Sequence, residues 1–351
     1  MHSCLTLFTV KDYNRDRAIC MCTYRSTWSD GIASTDSRII VITAFLLLEH
    51  SGKVMACGAA LPLNYSCNFE DPGQCDTIIL SRRIISTIAA VGCILLLIFI
   101  IWRPRFGEDW RNLAYMDVML IYLDVAILFH SIGWWMEEGV DVLKEKPGSP
   151  SPICLATGHV LQFSNWFSIL AAFNITLCCS VRIGCKIVLD KWWITIIVCL
   201  LVSLFFTFIP WAGNAYGPDG LEYGMWCWIR NDKLWWQFGT WYIWLLIGIL
   251  LMFFMPIIAY SCRRKCDDHA KAALCMVLYP VLYLICWIAP TVNRYQELVH
   301  SCEPRIYSHV LGHTVSVSLY GLLIAIAYIV TSKCICDGGD GGGATEMHAR
   351  Y

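Results

Sequence analysis

From residue 77 onward the apolar residues fall into seven blocks, approximately 78–102, 112–135, 153–181, 192–211, 236–260, 270–292 and 306–331, separated by short polar and charged stretches. A hydrocarbon core roughly 30 Å thick takes about 20 residues of helix at a rise of about 1.5 Å each. Each block is about that long, so the pattern predicts an all-α membrane protein, a seven-transmembrane helix bundle over residues 77–332.

Composition agrees. Hydrophobic residues make up 57% of the chain and charged residues 15%, where a soluble domain carries about a quarter charged residues. The net charge of -1 supplies no basic field, which argues against nucleic acid as a partner. Membrane lipid is the expected surrounding.

Orientation follows from Lys and Arg in short loops, which are retained on the cytoplasmic side. The loops after the first, third and fifth blocks hold ten such residues (Arg103, Arg105, Arg111; Arg182, Lys186, Lys191; Arg263, Arg264, Lys265, Lys271). The intervening loops hold six (Lys144, Lys146, Arg230, Lys233, Arg294, Arg305). The N-terminus is therefore expected outside, on a multi-pass protein of the plasma membrane. Arg82 and Arg83 at the outer end of the first block run against this count, unless their long stems snorkel to the interface.

Disulfides persist on the oxidising side of a membrane, and Cys154 and Cys227 fall on that side. A bridge between them would pin the second outer loop over the bundle. Most other cysteines, such as Cys93, Cys178, Cys179, Cys199, Cys275 and Cys286, lie within spans and read as packing residues.

Residues 1–35 show no helical or strand period and read as disorder or a gene-model artefact, and residues 1–76 as a whole are expected to form an extracellular, disordered segment. Within them, 39–48 (IIVITAFLLL) has the length of a signal-peptide core; alternatively, translation begins at Met55. Asn64-Tyr65-Ser66 is a glycosylation sequon, and Cys67 and Cys75 would close a small clasp. The Gly/Asp-rich stretch 333–351 is expected to be a flexible cytoplasmic tail. Cys334 and Cys336 there are acylation candidates or two free thiols.

Seven spans with an outer N-terminus leave a G-protein-coupled receptor, a retinal protein or an intramembrane metal hydrolase. Retinal needs a lysine in the last helix, and residues 306–331 contain none. His309 and His313 are four apart on one helix face, as zinc ligands could be, with His130 and His159 as possible completions. No Asp or Glu accompanies them, so no metal and no cofactor are expected, and the chain does not read as an enzyme. A transporter is the other alternative, but no inverted repeat or Gly-interrupted half-helix is evident.

The strongest motif is Glu222-Tyr223-Gly224-Met225-Trp226-Cys227-Trp228-Ile229, followed by the aromatic run Trp235 to Trp244. With Arg111-Asn112-Leu113, Cys154 and the segment Cys286 to Arg294, it resembles the cyclic-AMP-receptor-like family of G-protein-coupled receptors, known from slime moulds and fungi and distantly similar to secretin and adhesion receptors. The resemblance spans about residues 77–332. It implies a receptor for an extracellular small molecule that signals to heterotrimeric G proteins. Rhodopsin-type signals are absent: the third block ends Cys179-Ser180-Val181-Arg182-Ile183-Gly184, and the seventh lacks an Asn-Pro pair.

Polar residues inside spans are functional or paired. Gln162, Asn165, Trp166, Trp228, Tyr242, Trp287, Asn293, Arg294, His309 and His313 are expected to converge beneath the second outer loop, forming an aromatic cavity suited to a small anionic or aromatic ligand. Asp117, Asp124 and Asn174 would form an inner network, either switching or a static hydrogen-bonded contact. Trp287 and Pro290 would form a hinge in the sixth helix. Arg182 and the loop Arg263-Arg264-Lys265 would face the G protein, although cationic loops also serve as topology signals. Trp192, Trp193, Trp235 and Trp236 read as interfacial belt residues.

Overall fold

The computed structural model describes residues 72–102, 115–137, 149–185, 191–218, 226–261, 277–299 and 306–337. Among these residues there are seven long helices: α1 (Pro72–Trp102), α2 (Tyr115–Met136), α3 (Pro152–Cys185), α4 (Trp192–Ala212), α5 (Ile243–Ser261), α6 (Leu278–Val299) and α7 (Tyr307–Asp337). A helical turn (Leu234–Gln237) and a π-helical segment (Phe238–Tyr242) lead into α5. Two three-residue strands, β1 (Tyr216–Pro218) and β2 (Cys227–Ile229), pair antiparallel between α4 and α5, with Gly217 opposite Trp228. An all-α reading does not anticipate this hairpin.

Six of the helices, α1–α5 and α7, are long and apolar enough to cross a membrane, where the sequence predicted seven. The exception is α6, which carries Asn293, Arg294 and Gln296 as buried residues in its last two turns. Its opposite side holds Val281, Ile285, Ile288, Val292 and Tyr295, all exposed. That 3-4 spacing makes one continuous apolar stripe. Those polar residues lower its mean hydropathy, and they turn inward.

Helix α3 lies at the centre: 72% of its apolar window is buried, against 17% for α4 and 22% for α5. It packs against α2, α4, α5, α6 and the hairpin, while α1 and α7 close the other side. The outward faces are largely apolar, with Leu80, Ile84, Val91 and Leu95 on α1 and Leu201, Phe205 and Phe208 on α4 all exposed.

Hydroxyls inside the helices bond back one turn: Ser86 to the Arg82 carbonyl (2.6 Å), Thr207 to Ser203 (2.7 Å) and Thr314 to Val310 (3.0 Å). These three hydroxyls are thereby satisfied within their own segments, as a lipid environment favours. Pro290, buried in α6, cannot donate to the carbonyl one turn back. The neighbouring Thr291 hydroxyl bonds the Trp287 carbonyl at 2.7 Å.

Candidate functional site

The hairpin lies across one end of the bundle, and four sets of contacts hold it there. Cys227 on β2 is disulfide-bonded to Cys154 in the first turn of α3, with the Cα atoms 5.2 Å apart. The backbone amide of Cys227 also donates to Glu137 Oε1 at the end of α2. Gln162 on α3 accepts the Trp228 indole N–H at 2.8 Å, and Gln237 donates to the Ile229 carbonyl at 2.7 Å. On β1, the Tyr216 hydroxyl donates to the Thr207 carbonyl at 2.8 Å, and burial pushes its phenol well above the ordinary value. Gly158 admits this ring, because a Cβ there would stand 2.9 Å from Tyr216 Cδ1.

Glu137 meets a second partner. Its other carboxylate oxygen accepts from Arg82 Nη1 of α1 at 2.6 Å, and the two side chains are 0% and 5% exposed. The Arg82 guanidinium also lies 5.1 Å from the centre of the Trp134 ring. One carboxylate therefore links α1, α2 and the hairpin. Charges at this depth are held only when paired and hydrogen-bonded.

Beneath the hairpin is a cavity of about 30 Å³, room for about two waters. Its walls are His130 and Trp134 of α2, Leu161 and Asn165 of α3, Trp226 and Trp228 of the hairpin segment, Trp241 and Tyr242 of the π segment, Trp287 and Arg294 of α6, and His313 and Val317 of α7. Arg294 is its permanent cation, 5.1 Å from the centre of the Trp226 ring and 5.4 Å from that of Trp228. Cations over indole faces gain from the ring quadrupole. Arg294 Nη1 also donates to Glu297 Oε2 (2.5 Å) and toward Asn231 Oδ1 (3.4 Å).

Three buried nitrogens in this wall lack a hydrogen-bond partner among the described residues: His130 Nε2, Trp134 Nε1 and Trp241 Nε1. The other nitrogen of His130 pairs with Ser164 Oγ at 3.1 Å. Buried N–H groups without acceptors cost stability. An acceptor-rich group entering the cavity would satisfy the two indoles, whereas His130 Nε2 needs a donor: the Ser164 hydroxyl already donates to the Leu161 carbonyl at 2.9 Å, so His130 Nδ1 carries the ring proton.

Of the ten residues predicted to line a pocket, Asn165, Trp228, Tyr242, Trp287, Arg294 and His313 do so. Gln162, Trp166 and Asn293 stand behind the wall. Trp166 donates to the Thr240 carbonyl at 2.8 Å and stacks on Phe206, and Asn293 pairs with His313 Nδ1 at 3.3 Å. His309 is not part of the wall, because it pairs instead with Gln296 at 2.9 Å. The two histidines thus take separate partners and do not converge as zinc ligands would. Sequence reasoning missed His130, Trp134, Trp226 and Trp241 as pocket residues, and the Arg82–Glu137 pair altogether. Opposite charges at the same end of two successive apolar blocks were the available signal for that pair.

Farther down, Trp287 contacts Tyr283 (ring centres 5.9 Å), which meets Tyr320 of α7 edge-on at 5.0 Å. Near Tyr320 lies Asp124, fully buried, with the Cys93 thiol against its carboxyl group. Asn174 does not join it as predicted. It bonds the Leu170 carbonyl at 2.8 Å and Cys199 Sγ at 3.0 Å, facing α4 instead. The side chains of Asp117, Arg182, Cys334 and Cys336, and all of Asn64, Cys67 and Arg263-Arg264-Lys265, lie outside the described residues. Cys75 is disulfide-bonded, and its partner also lies outside them.

No protein-family model matches the chain. Over 111 residues it is 26% identical to cyclic AMP receptor 4 of Dictyostelium discoideum, covering 29% of this chain and 23% of that protein. Over 80 residues it is 30% identical to cyclic AMP receptor 2 of the same organism, covering 20% of this chain and 21% of the relative. The matched stretches span less than a quarter of either curated relative, so the likeness to cyclic AMP receptors is partial.

Proposed function

We propose that this chain is a seven-span plasma-membrane receptor whose hairpin end faces outward, and that it binds a small anionic molecule with an aromatic or apolar body and signals to heterotrimeric G proteins. The observation that carries the reading is Arg294, a cation 4% exposed, set against two indole faces in a cavity with two indole N–H groups, of Trp134 and Trp241, that lack an acceptor among the described residues. A monoanion with several acceptor atoms and a flat ring suits such a wall. A cyclic nucleotide meets that description. The partial likeness to two proteins named cyclic AMP receptors makes it the first ligand to test. The apolar stripe of α6 supports counting it as a span, and the Cys154–Cys227 bridge supports an oxidising side for the hairpin.

The cavity is too small for a nucleotide as it stands, so binding selects an arrangement in which the wall has moved. A ligand shifts the equilibrium only by its differential affinity for the two arrangements. Trp287 is both wall and part of α6, three positions before Pro290. Displacing it would tilt the lower half of α6 and disturb the contacts of Tyr283 and Tyr320 next to Asp124. That motion would open the opposite face to a G-protein helix, for which Arg263-Arg264-Lys265 are the proposed contacts.

Cells expressing the chain with a panel of G-protein dissociation reporters test this directly, with cyclic nucleotides and other small anionic metabolites applied outside. The expected result is a saturable response that is lost in Arg294→Gln at matched surface expression. Ligand-independent solute flux with no reporter response would favour a transporter instead.

A further inference from the structure

Arg294 is already occupied. Glu297, one turn nearer the hairpin end of α6, takes up two donors beside the cavity wall: Oε2 accepts from Arg294 Nη1 at 2.5 Å and Oε1 accepts from Asn293 Nδ2 at 3.2 Å. This is the donor set an anionic ligand group would need, one guanidinium and one amide side by side. The exposure is graded, with the Arg294 side chain 4% exposed and that of Glu297 11%. The carboxylate therefore sits on the more accessible side of its cation.

We propose that Glu297 is a resident counter-anion, a built-in competitor that occupies Arg294 and Asn293 until the anionic group of a ligand displaces it. This rests on reading the cavity as the ligand site and adds what regulates it. Exchange conserves the number of charge-assisted hydrogen bonds on Arg294, because one anion replaces another. The displaced carboxylate, the more exposed of the two partners, regains water. Two consequences follow. Affinity for anions is held below what Arg294 alone would give, and neutral ligands, which cannot compete for the guanidinium, gain nothing from displacing Glu297. The same carboxylate neutralises Arg294 in the ligand-free protein, which a buried cation requires. Glu297 thus stabilises the resting arrangement and sets a threshold for the ligand's charge.

The test is equilibrium binding to the purified full-length chain in lipid nanodiscs, with radiolabelled cyclic AMP as a monoanionic probe and adenosine as its neutral counterpart. Glu297→Gln keeps an oxygen for Asn293 but removes the charge. The expected result is about a tenfold gain in cyclic AMP affinity, the factor that corresponds to roughly 1.4 kcal/mol, with adenosine affinity changed by less than about twofold. Glu297→Ser serves the same purpose if the glutamine variant does not reach the membrane. Cyclic AMP bound equally or more weakly by the variant than by wild type would overturn the competitor role and leave the cavity reading standing. Absence of cyclic AMP binding in both proteins would overturn both.

Discussion

Removing the Glu137 carboxylate should unfasten the hairpin end. Glu137→Ala removes the acceptor of the Arg82 guanidinium at 2.6 Å and of the Cys227 backbone amide, in a place where the two ionised side chains are 0% and 5% exposed. Breaking a buried pair by deleting one partner costs about 3–5 kcal/mol, whereas replacing both partners by apolar residues of similar volume is often neutral or stabilising. At about 2–4 °C per kcal/mol for a chain of this order of size, the lower figure corresponds to a fall of roughly 6 °C or more in the midpoint of thermal unfolding. Arg82→Ala should fall similarly, and the double variant Arg82→Met with Glu137→Met should recover most of the loss. The assay is thermal unfolding of the detergent-purified variants followed by tryptophan fluorescence. Single variants within about 1 °C of wild type, or a double variant as unstable as the sum of the singles, would refute the reasoning.

Other outcomes follow from the same packing. Trp228→Phe removes the donor to Gln162 Oε1 at 2.8 Å and should cost about 1–3 kcal/mol in thermal unfolding. Combining it with Gln162→Leu should cost less than the sum of the two. Gly158→Ala would place a methyl 2.9 Å from the Tyr216 ring and should cost about 1–3 kcal/mol. Gly239→Ala meets nothing within 4 Å and should be neutral or stabilising by up to about 1 kcal/mol. Reduction of the Cys154–Cys227 bridge, which closes a separation of 73 residues, should lower stability by up to about 4 kcal/mol, seen as a drop in unfolding temperature on adding dithiothreitol.

The spans were legible because about 20 apolar residues in a row have few other uses. The boundaries drifted where polar residues belong to a helix: the sixth block was ended at 292, but α6 continues to Val299 because Asn293, Arg294 and Gln296 turn inward. The disulfide was legible from compartment and position. The strand pairing was not, since Cys227, Trp228 and Ile229 are all buried and show no alternation. Within the site, Asn165, Arg294 and His313 stood out as polar residues placed where lipid would penalise them. Trp134 and Trp241 did not, because an aromatic near a span end reads as an interfacial residue unless the rotation of its helix is known. Trp193 and Trp235 do lie exposed. The Arg82–Glu137 pair joins positions 55 apart in sequence, a distance at which charge sign alone does not choose a partner. Glu297 was hidden for a different reason: an acid three residues after an arginine usually reads as a solvated helix pair.

The account depends most on the hairpin end facing the outside with its bridge intact. Intact cells expressing the chain, treated with a membrane-impermeant reductant and then a membrane-impermeant maleimide, give a direct measurement once the labelled peptides are read by mass spectrometry. The account predicts label on Cys154 and Cys227 only after reduction and without permeabilisation. Label that requires permeabilised cells, or that reaches either cysteine without reductant, would contradict it.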